Sequence, residues 1–129
     1  MPLVKISVPA HLKAEKVRAL ANAVHEALVS TCSVPTGDRF QLVSRFSDQD
    51  MIIDPTFPGV VRTADASIVE ITFLAGRTDA KKRSLYRAIV DGAVTGGFRS
   101  DDVMVALVEN EPIDWSLGRG EAYEKHPEG

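Results

Sequence analysis

A strand–helix–strand pattern that occurs twice is the feature that most constrains the fold of this chain. In the first copy, Val4, Ile6 and Val8 alternate with other residues, which predicts a half-buried strand. Apolar residues at helical spacing then predict a helix over roughly residues 13–31. A second strand is predicted from Phe40 to Phe46, after a Pro- and Gly-containing turn.

The second copy follows sixty-five positions further along the chain. Val69, Ile71 and Phe73 repeat the alternation of the first strand, and a helical apolar pattern comes next. Gly96 and Gly97 predict the end of that helix, and residues 103–108 predict a fourth strand. Because strand faces and helix faces match together, the sequence indicates an internal duplication.

Two such units predict an α+β fold. A strand–helix–strand unit makes a right-handed parallel crossover, and two units related by a pseudo-twofold axis give a four-stranded sheet with both helices on one face. The 129 residues are sufficient for a single domain, 1–129, with repeats at about 3–46 and 68–110 and a tail at 111–129.

The second face of this sheet is predicted to need a cover. Leu3, Phe40 and Leu42 are expected to point to it. Either the 47–66 segment folds over this face or other subunits do, so self-association is expected.

The composition of the chain limits which binding partners and which cellular compartment are expected. A net charge of −3 argues against nucleic acid or an anionic membrane as a partner. The chain shows neither a membrane-length apolar run nor a signal-peptide pattern, and the lone Cys32 favours a reducing, cytoplasmic setting. The histidines, which are His11, His25 and His126, have no partner at metal-ligand spacing, so no metal is predicted.

Residues that differ between the two copies are candidates for a site. Pro2 corresponds to Ser67 and Arg77 to Leu12, and the tail carries Trp115. If the first strands of the copies lie antiparallel, Pro2, Asp38, Arg77 and Trp115 emerge at the same end of the sheet. Taken singly, Asp38 could cap a turn, Arg77 could be a solvated charge and Trp115 could anchor the tail.

Pro2 has a chemical and a structural interpretation. Loss of Met1 would give it a free secondary amine, whereas a retained Met1 would make its nitrogen a tertiary amide without basicity. The alternative is that Pro2 only begins the first strand, a position that proline tolerates.

The motifs resemble those of a known family. Pro2 opening a strand, the duplicated plan and Gly76-Arg77-Thr78-Asp79 before a helix are similar to the tautomerase superfamily. Within it, "VPTGDRFQLVS" and "DDVMVALVENEPIDWSLGRG" resemble the malonate semialdehyde decarboxylase group. The resemblance implies a cofactor-independent homotrimer that acts on a small oxo acid.

The same resemblance implies roles for individual residues. Pro2 would be catalytic after loss of Met1, Asp38 its acidic partner, Arg77 the group that binds the substrate carboxylate, and Trp115 an aromatic wall. Two positions depart from the family pattern. Ala75 stands where the decarboxylases have the first arginine of an Arg-Pro-Arg run, and Leu117 stands where an aromatic residue is expected.

The protonation state of Pro2 separates the possible reactions. If Asp38 keeps Pro2 cationic, decarboxylation of malonate semialdehyde (3-oxopropanoate) to acetaldehyde and CO2 is expected, with possible hydratase side activity. If burial keeps Pro2 neutral, keto–enol tautomerisation of a 2-oxo acid such as phenylpyruvate is the alternative. Whether an iminium forms at Pro2 stays open, and so does a non-catalytic ferredoxin-like binding module.

Overall fold

The computed structural model describes residues 1–124 and follows the predicted element order. Its strands and helices are β1 (Pro2–Pro9), α1 (Ala14–Cys32), β2 (Phe40–Phe46), β3 (Ser67–Leu74), α2 (Asp79–Thr95) and β4 (Val103–Asn110). Short 3-10 turns cover Ser100–Asp102 and Pro112–Asp114. β4 extends two residues beyond the predicted 103–108, and α1 is shifted by one residue from the predicted helix.

The four strands form one sheet in the order β2-β1-β3-β4. β1 is parallel to β2, β3 is parallel to β4, and the two central strands β1 and β3 are antiparallel. Both helices pack on one face of the sheet, as the duplicated pattern predicted. The predicted fold class is therefore confirmed.

The core lies between the sheet and the helices. Alternate residues of β1 and β3 are almost fully buried, and so are the inner faces of α1 and α2; the largest are Val4, Ile6, Val8, Leu20, Val24, Leu28, Val69, Ile71, Phe73, Leu85 and Ile89. At about 25 cal/mol per Å² of buried apolar surface, this core is the main stabilising contribution.

The helices approach each other closely at Gly92 of α2 and at Gly96, which directly follows α2. A Cβ built on Gly92 would lie 2.7 Å from the Cβ of Ala23, and one on Gly96 would lie 2.6 Å from the Cβ of Ala19. Real Cβ atoms do not approach so closely, so the spacing of α1 and α2 depends on these small residues.

The face of the sheet away from the helices stays open. Phe40 is 51% exposed and Leu42 is 56% exposed on β2, while Met104 and Val108 on β4 are also exposed. The 47–66 segment therefore does not cover this face. The sequence predicts two alternative covers for this face, the 47–66 segment or other subunits. Other subunits are the cover that is still expected.

The 47–66 segment is fixed instead at the end of the sheet where β3 and β4 begin, which we call the loop end. The Thr63 backbone N–H and hydroxyl donate to the two carboxylate oxygens of Asp102 at 2.7 and 2.5 Å. Asp65 accepts hydrogen bonds from His11 and Lys16 at 2.7 and 2.9 Å. Among residues 1–124, no helix is long and apolar enough to cross a lipid bilayer.

Candidate active site

Four segments of the chain meet where β1 and β2 begin and β3 and β4 finish, which we call the site end. In the register of the sheet, Pro2 lies opposite Phe73 and Leu3 opposite Phe40. Leu74 at the end of β3 lies opposite Asn110 at the end of β4. The sheet thus brings the start of the chain close to the segments that carry Asp38, Arg77 and the tail.

A pocket of about 690 Å³ opens at the site end. Three of the predicted site residues line it, namely Asp38, Arg77 and Leu117. The rest of the lining comes from the N-terminus, the turn after α1, the end of β3 and the tail: Met1, Cys32, Ser33, Val34, Pro35, Gly37, Phe40, Leu74 and Tyr123. Pro2 and Trp115 lie at this end but do not line the pocket.

The chain's α-amine lies against Asp38 at the mouth of β1. The Met1 ammonium donates to one carboxylate oxygen of Asp38, whose side chain is 20% exposed. The other oxygen, Oδ1, is buried without a hydrogen-bond partner among residues 1–124. The Asp38 carboxylate is therefore available to a further donor from the pocket.

Burial, and second the Arg77 guanidinium, lower the pKa of the Met1 amine from 8.0 to about 6. Desolvation and a neighbouring positive charge both disfavour the ammonium form, while the contact with Asp38 favours it. At this nitrogen the first two effects prevail. It stays a prediction that Asp38 has the larger effect on the pKa of the Pro2 nitrogen, one residue further along the chain.

Arg77 is held by the connection between β3 and α2. Its Nη1 donates to the Leu74 carbonyl at 2.9 Å, and its guanidinium carbon lies 4.5 Å from the centre of the Phe73 ring. Its Nε is buried without an acceptor, and no carboxylate of residues 1–124 forms an ion pair with it. The cation is thus positioned but not neutralised, as a binding site for a substrate carboxylate requires.

Gly76 explains why this connection departs from the Arg-Pro-Arg pattern. Its φ of +120° is a left-handed conformation, whereas proline is restricted to a φ near −65°. A proline could not adopt this conformation, so the connection found here does not accommodate the Arg-Pro-Arg sequence.

Pro2 is buried at the first position of β1. With Met1 attached, its nitrogen is part of a tertiary amide and carries no proton. The nitrogen is one residue from the amine that contacts Asp38.

Trp115 serves as an anchor in this structure. Its half-buried indole N–H donates to Asn110 Oδ1 at 2.7 Å, and its carbonyl accepts from the Tyr123 N–H at 2.8 Å. These bonds fold the tail back, so that Leu117 and Tyr123 face the pocket.

Sequence reasoning missed Tyr123 and Cys32 as lining residues. Tyr123 lies in the tail that had been singled out, and its aromatic ring near Trp115 could have indicated it. Cys32 is the last residue of α1, one position beyond the predicted helix, and it was interpreted only as a sign of a reducing setting.

A metal ligand set was not expected, and the structure has no group of three His, Cys, Asp or Glu side chains within residues 1–124 that could hold a metal. His126, the third histidine considered, lies outside the described residues.

Comparison with known proteins decides the family. A family model described as a tautomerase enzyme matches residues 38–118, which is more than half of the chain. The chain belongs to the tautomerase superfamily. The match includes Asp38, Arg77, Trp115 and Leu117, and the predicted resemblance is confirmed.

Relatives cover nearly the full length of this tautomerase-superfamily chain. The probable tautomerase YrdN of Bacillus subtilis (strain 168) is 32% identical, over 95% of this chain and 95% of its own length. The probable tautomerase YusQ of the same organism is 29% identical, over 95% and 97% respectively.

Two of the solved structures that this chain resembles are malonate semialdehyde decarboxylases. FG41 malonate semialdehyde decarboxylase inhibited by 3-bromopropiolate is 34% identical with a TM-score of 0.87, covering 92% of this chain and 91% of that one. A second malonate semialdehyde decarboxylase, described as having decarboxylase and hydratase activities, is 31% identical with a TM-score of 0.86, covering 92% of each chain. A fused 4-OT symmetric trimer shares the fold at 22% identity and a TM-score of 0.76, covering 93% and 94%.

Proposed function

We propose that this tautomerase-superfamily enzyme decarboxylates malonate semialdehyde to acetaldehyde and CO2, with the amine of Pro2 as the catalytic group after removal of Met1. One observation carries the proposal: a terminal amine, the Asp38 carboxylate and the unpaired Arg77 cation meet at a single pocket. The likeness to two malonate semialdehyde decarboxylases supports this choice of substrate.

Arg77 binds the substrate carboxylate in this proposal. Its Nη2 donates to no acceptor within residues 1–124, so a carboxylate can pair with the charge and accept a hydrogen bond there. Holding the carboxylate fixes the breaking C–C bond out of the plane of the aldehyde, which is an orientation effect. Malonate semialdehyde has one carboxylate, so one arginine is sufficient despite Ala75.

Protonated Pro2 polarises the aldehyde oxygen. Loss of CO2 leaves the electron pair of the C–C bond on an enolate, and a fixed positive charge next to the developing oxyanion lowers the barrier. Pro2 then gives its proton to the enolate carbon, which yields acetaldehyde, and regains a proton from solvent. General acid catalysis of this kind contributes about 10²–10⁴-fold in rate.

Asp38 favours the cationic form of Pro2, and the tail keeps water out. A neighbouring carboxylate raises the pKa of an amine. Leu117 and Tyr123 form the tail side of the pocket, and the Trp115–Asn110 hydrogen bond holds them there. A drier pocket strengthens the polar contacts to the substrate and disfavours its free carboxylate.

The enzyme is proposed to act as a homotrimer. The open sheet face with exposed Phe40, Leu42, Met104 and Val108 supports association, and a related fold is a trimer in the fused 4-OT structure. The cytoplasmic location and the single-domain organisation predicted from the sequence remain part of this proposal.

A second candidate is keto–enol tautomerisation of a 2-oxo acid such as phenylpyruvate. Burial and Arg77 lower the pKa of the Met1 amine to about 6, and the same two effects at the Pro2 nitrogen would favour a neutral base. The curated relatives are described as probable tautomerases, which supports the same alternative.

A paired assay separates these functions. Protein without Met1 is given malonate semialdehyde, with acetaldehyde measured, and separately the enol of phenylpyruvate, with ketonisation measured. We expect kcat/KM to be higher for decarboxylation. Faster ketonisation with no acetaldehyde would assign the tautomerase, and inactivity in both assays would favour a non-catalytic binding module. Hydration of 3-bromopropiolate would test the hydratase side activity in separate samples, because a related decarboxylase is inhibited by this compound.

A further inference from the structure

The loop end of the sheet carries a second pocket, of about 280 Å³, which corresponds to the first by the internal duplication. Ala66 and Pro9 line it, and they lie sixty-five positions from Met1 and Leu74, which line the pocket at the site end. Segment 47–58, the counterpart of the tail in the first copy, contributes further lining. The duplicated fold therefore produces two related concavities at opposite ends of one sheet.

The second pocket lacks the proposed catalytic groups. Ser67 replaces Pro2, and its hydroxyl donates to the Asp65 carbonyl at 3.0 Å. Leu12 replaces Arg77 and is buried. Asp102, which follows the second helix as Asp38 follows the first, is 1% exposed and is bound to Thr63. This pocket is therefore suited to binding rather than to the same chemistry.

Arg62 supplies a cation to the second pocket. Its Nη1 donates to the carbonyls of Asp54 and Phe57, both at 2.6 Å, and its backbone N–H donates to the Pro55 carbonyl at 2.8 Å. These bonds fix the half-buried side chain. Within residues 1–124 its Nε and Nη2 donate to no protein acceptor, and no carboxylate forms an ion pair with it.

The acidic residues nearby have other partners or are exposed. Asp65 is paired with both Lys16 and His11. The Asp54 carboxylate accepts the backbone N–H groups of Thr56 and Phe57, and these bonds are the main cause of its lowered pKa; the charge of Arg62 lowers this pKa further without forming an ion pair. Asp48 lines the pocket but is solvent-exposed, so its charge is screened.

Polar side chains of His11, Ser47, Asp48 and Thr63 line part of the pocket, and the remaining walls are apolar. They are formed by the ends of β1 and β2 and by the 47–66 segment: Pro9, Phe46, Met51, Ile53, Pro55 and Ala66. A pocket with one oriented cation and a partly apolar lining fits a ligand that has an anionic head and a small hydrophobic body. The volume lies at the lower limit of ligand pockets, which restricts the ligand to a few carbon atoms.

We propose that the loop-end pocket binds a small carboxylate with an apolar body, its head on Arg62. This inference does not depend on the reaction at the site end. It adds a second binding site per chain, at the opposite end of the sheet from Arg77.

The test is a titration of the whole protein with butanoate, followed by amide NMR. We expect shifts of the Thr63 and Ala64 resonances that persist in Arg77→Gln, because that variant removes only binding at the site end. Butanamide has the same shape without the charge, and we expect it to bind about 10–100-fold more weakly at the loop end.

Two variants test whether butanoate binds in the loop-end pocket itself. Arg62→Gln removes the cation, and Ala64→Phe fills the pocket from an exposed position while leaving Arg62 in place. Both are expected to abolish the shift at Thr63 while the shift at Gly76 remains. Shifts confined to Gly37 and Gly76, or equal affinity for butanoate and butanamide at the loop end, would overturn the proposal.

Discussion

The unpaired guanidinium of Arg77 leads to a first prediction, which concerns a single side chain. Because its guanidinium has no carboxylate partner within residues 1–124, Arg77→Gln should lose a charge-assisted contact to substrate, worth about 1.5–3 kcal/mol. We expect kcat/KM for malonate semialdehyde to fall about 10–100-fold, through a higher KM and, because the orientation of the breaking bond is lost, a lower kcat. Steady-state kinetics measure this, with Arg87→Gln on the exposed face of α2 as the matched control. A change of less than twofold would show that Arg77 does not bind the carboxylate.

Replacing Arg77 and replacing Asp38 are predicted to shift the pKa of Pro2 in opposite directions. Arg77 lowers the pKa of the amine at this site, so Arg77→Gln should raise the pKa of Pro2 in protein without Met1. Asp38→Asn should lower it, because the carboxylate that favours the cation is lost. The ¹⁵N chemical shift of Pro2 against pH gives both values. A pKa that is unchanged in Asp38→Asn would remove Asp38 from the mechanism.

The same pKa fixes the pH dependence of the reaction. Decarboxylation needs protonated Pro2, so kcat should be constant at low pH and fall as the pH rises through the Pro2 pKa. Tautomerisation needs neutral Pro2, so its rate should rise with pH through the same value. The pH–rate profile should therefore run in opposite directions for the two reactions.

The contact between α1 and α2 gives a prediction at the element scale. Gly92→Ala places a Cβ 2.7 Å from the Cβ of Ala23, and overpacking of this kind costs about 1–3 kcal/mol. This outweighs the gain of about 1 kcal/mol in helix propensity. We expect a lower free energy of unfolding in urea, with Ser84→Ala, at an exposed position of α2, at least as stable as the parent. A stabilised Gly92→Ala protein would contradict the close packing.

The elements were the most predictable part of the molecule. Strand alternation and helical spacing predicted the order of the four strands and two helices, and the bounds of α1, β2 and β4 within two residues, because these periods reflect which side faces the core. The path of the 47–66 segment was not predictable, since it depends on long-range bonds such as Thr63 to Asp102.

Part of the site was also predictable, because the strand directions follow from the duplicated pattern. Strand directions were sufficient to bring Asp38, Arg77 and the tail to one end of the sheet. They could not show that the Trp115 indole bonds Asn110, or that Tyr123 rather than Trp115 lines the pocket. Side-chain direction in a tail depends on hydrogen bonds that leave no periodic pattern.

The open sheet face gives a prediction for the whole molecule. Leu42 is 56% exposed on β2, and in the proposed trimer it is buried against another copy. A charge there would then be desolvated, so Leu42→Glu should dissociate the assembly to single chains. Light scattering coupled to gel filtration gives the mass. Val94→Glu changes a residue of α2 that is 47% exposed and lies away from this face, and it should leave the mass unchanged. A parent protein with the mass of one chain would contradict the trimer.

The central claim is that the amine of Pro2 decarboxylates a small oxo acid, and acetaldehyde release tests it most directly. Malonate semialdehyde is given to protein whose mass shows that Met1 has been removed, and to a Pro2→Ala variant in the same state. We predict rapid release of acetaldehyde by the parent and a loss of at least about 10²-fold in the variant, the scale of general acid catalysis. Equal rates in the two proteins, or no acetaldehyde from the parent, would contradict the account.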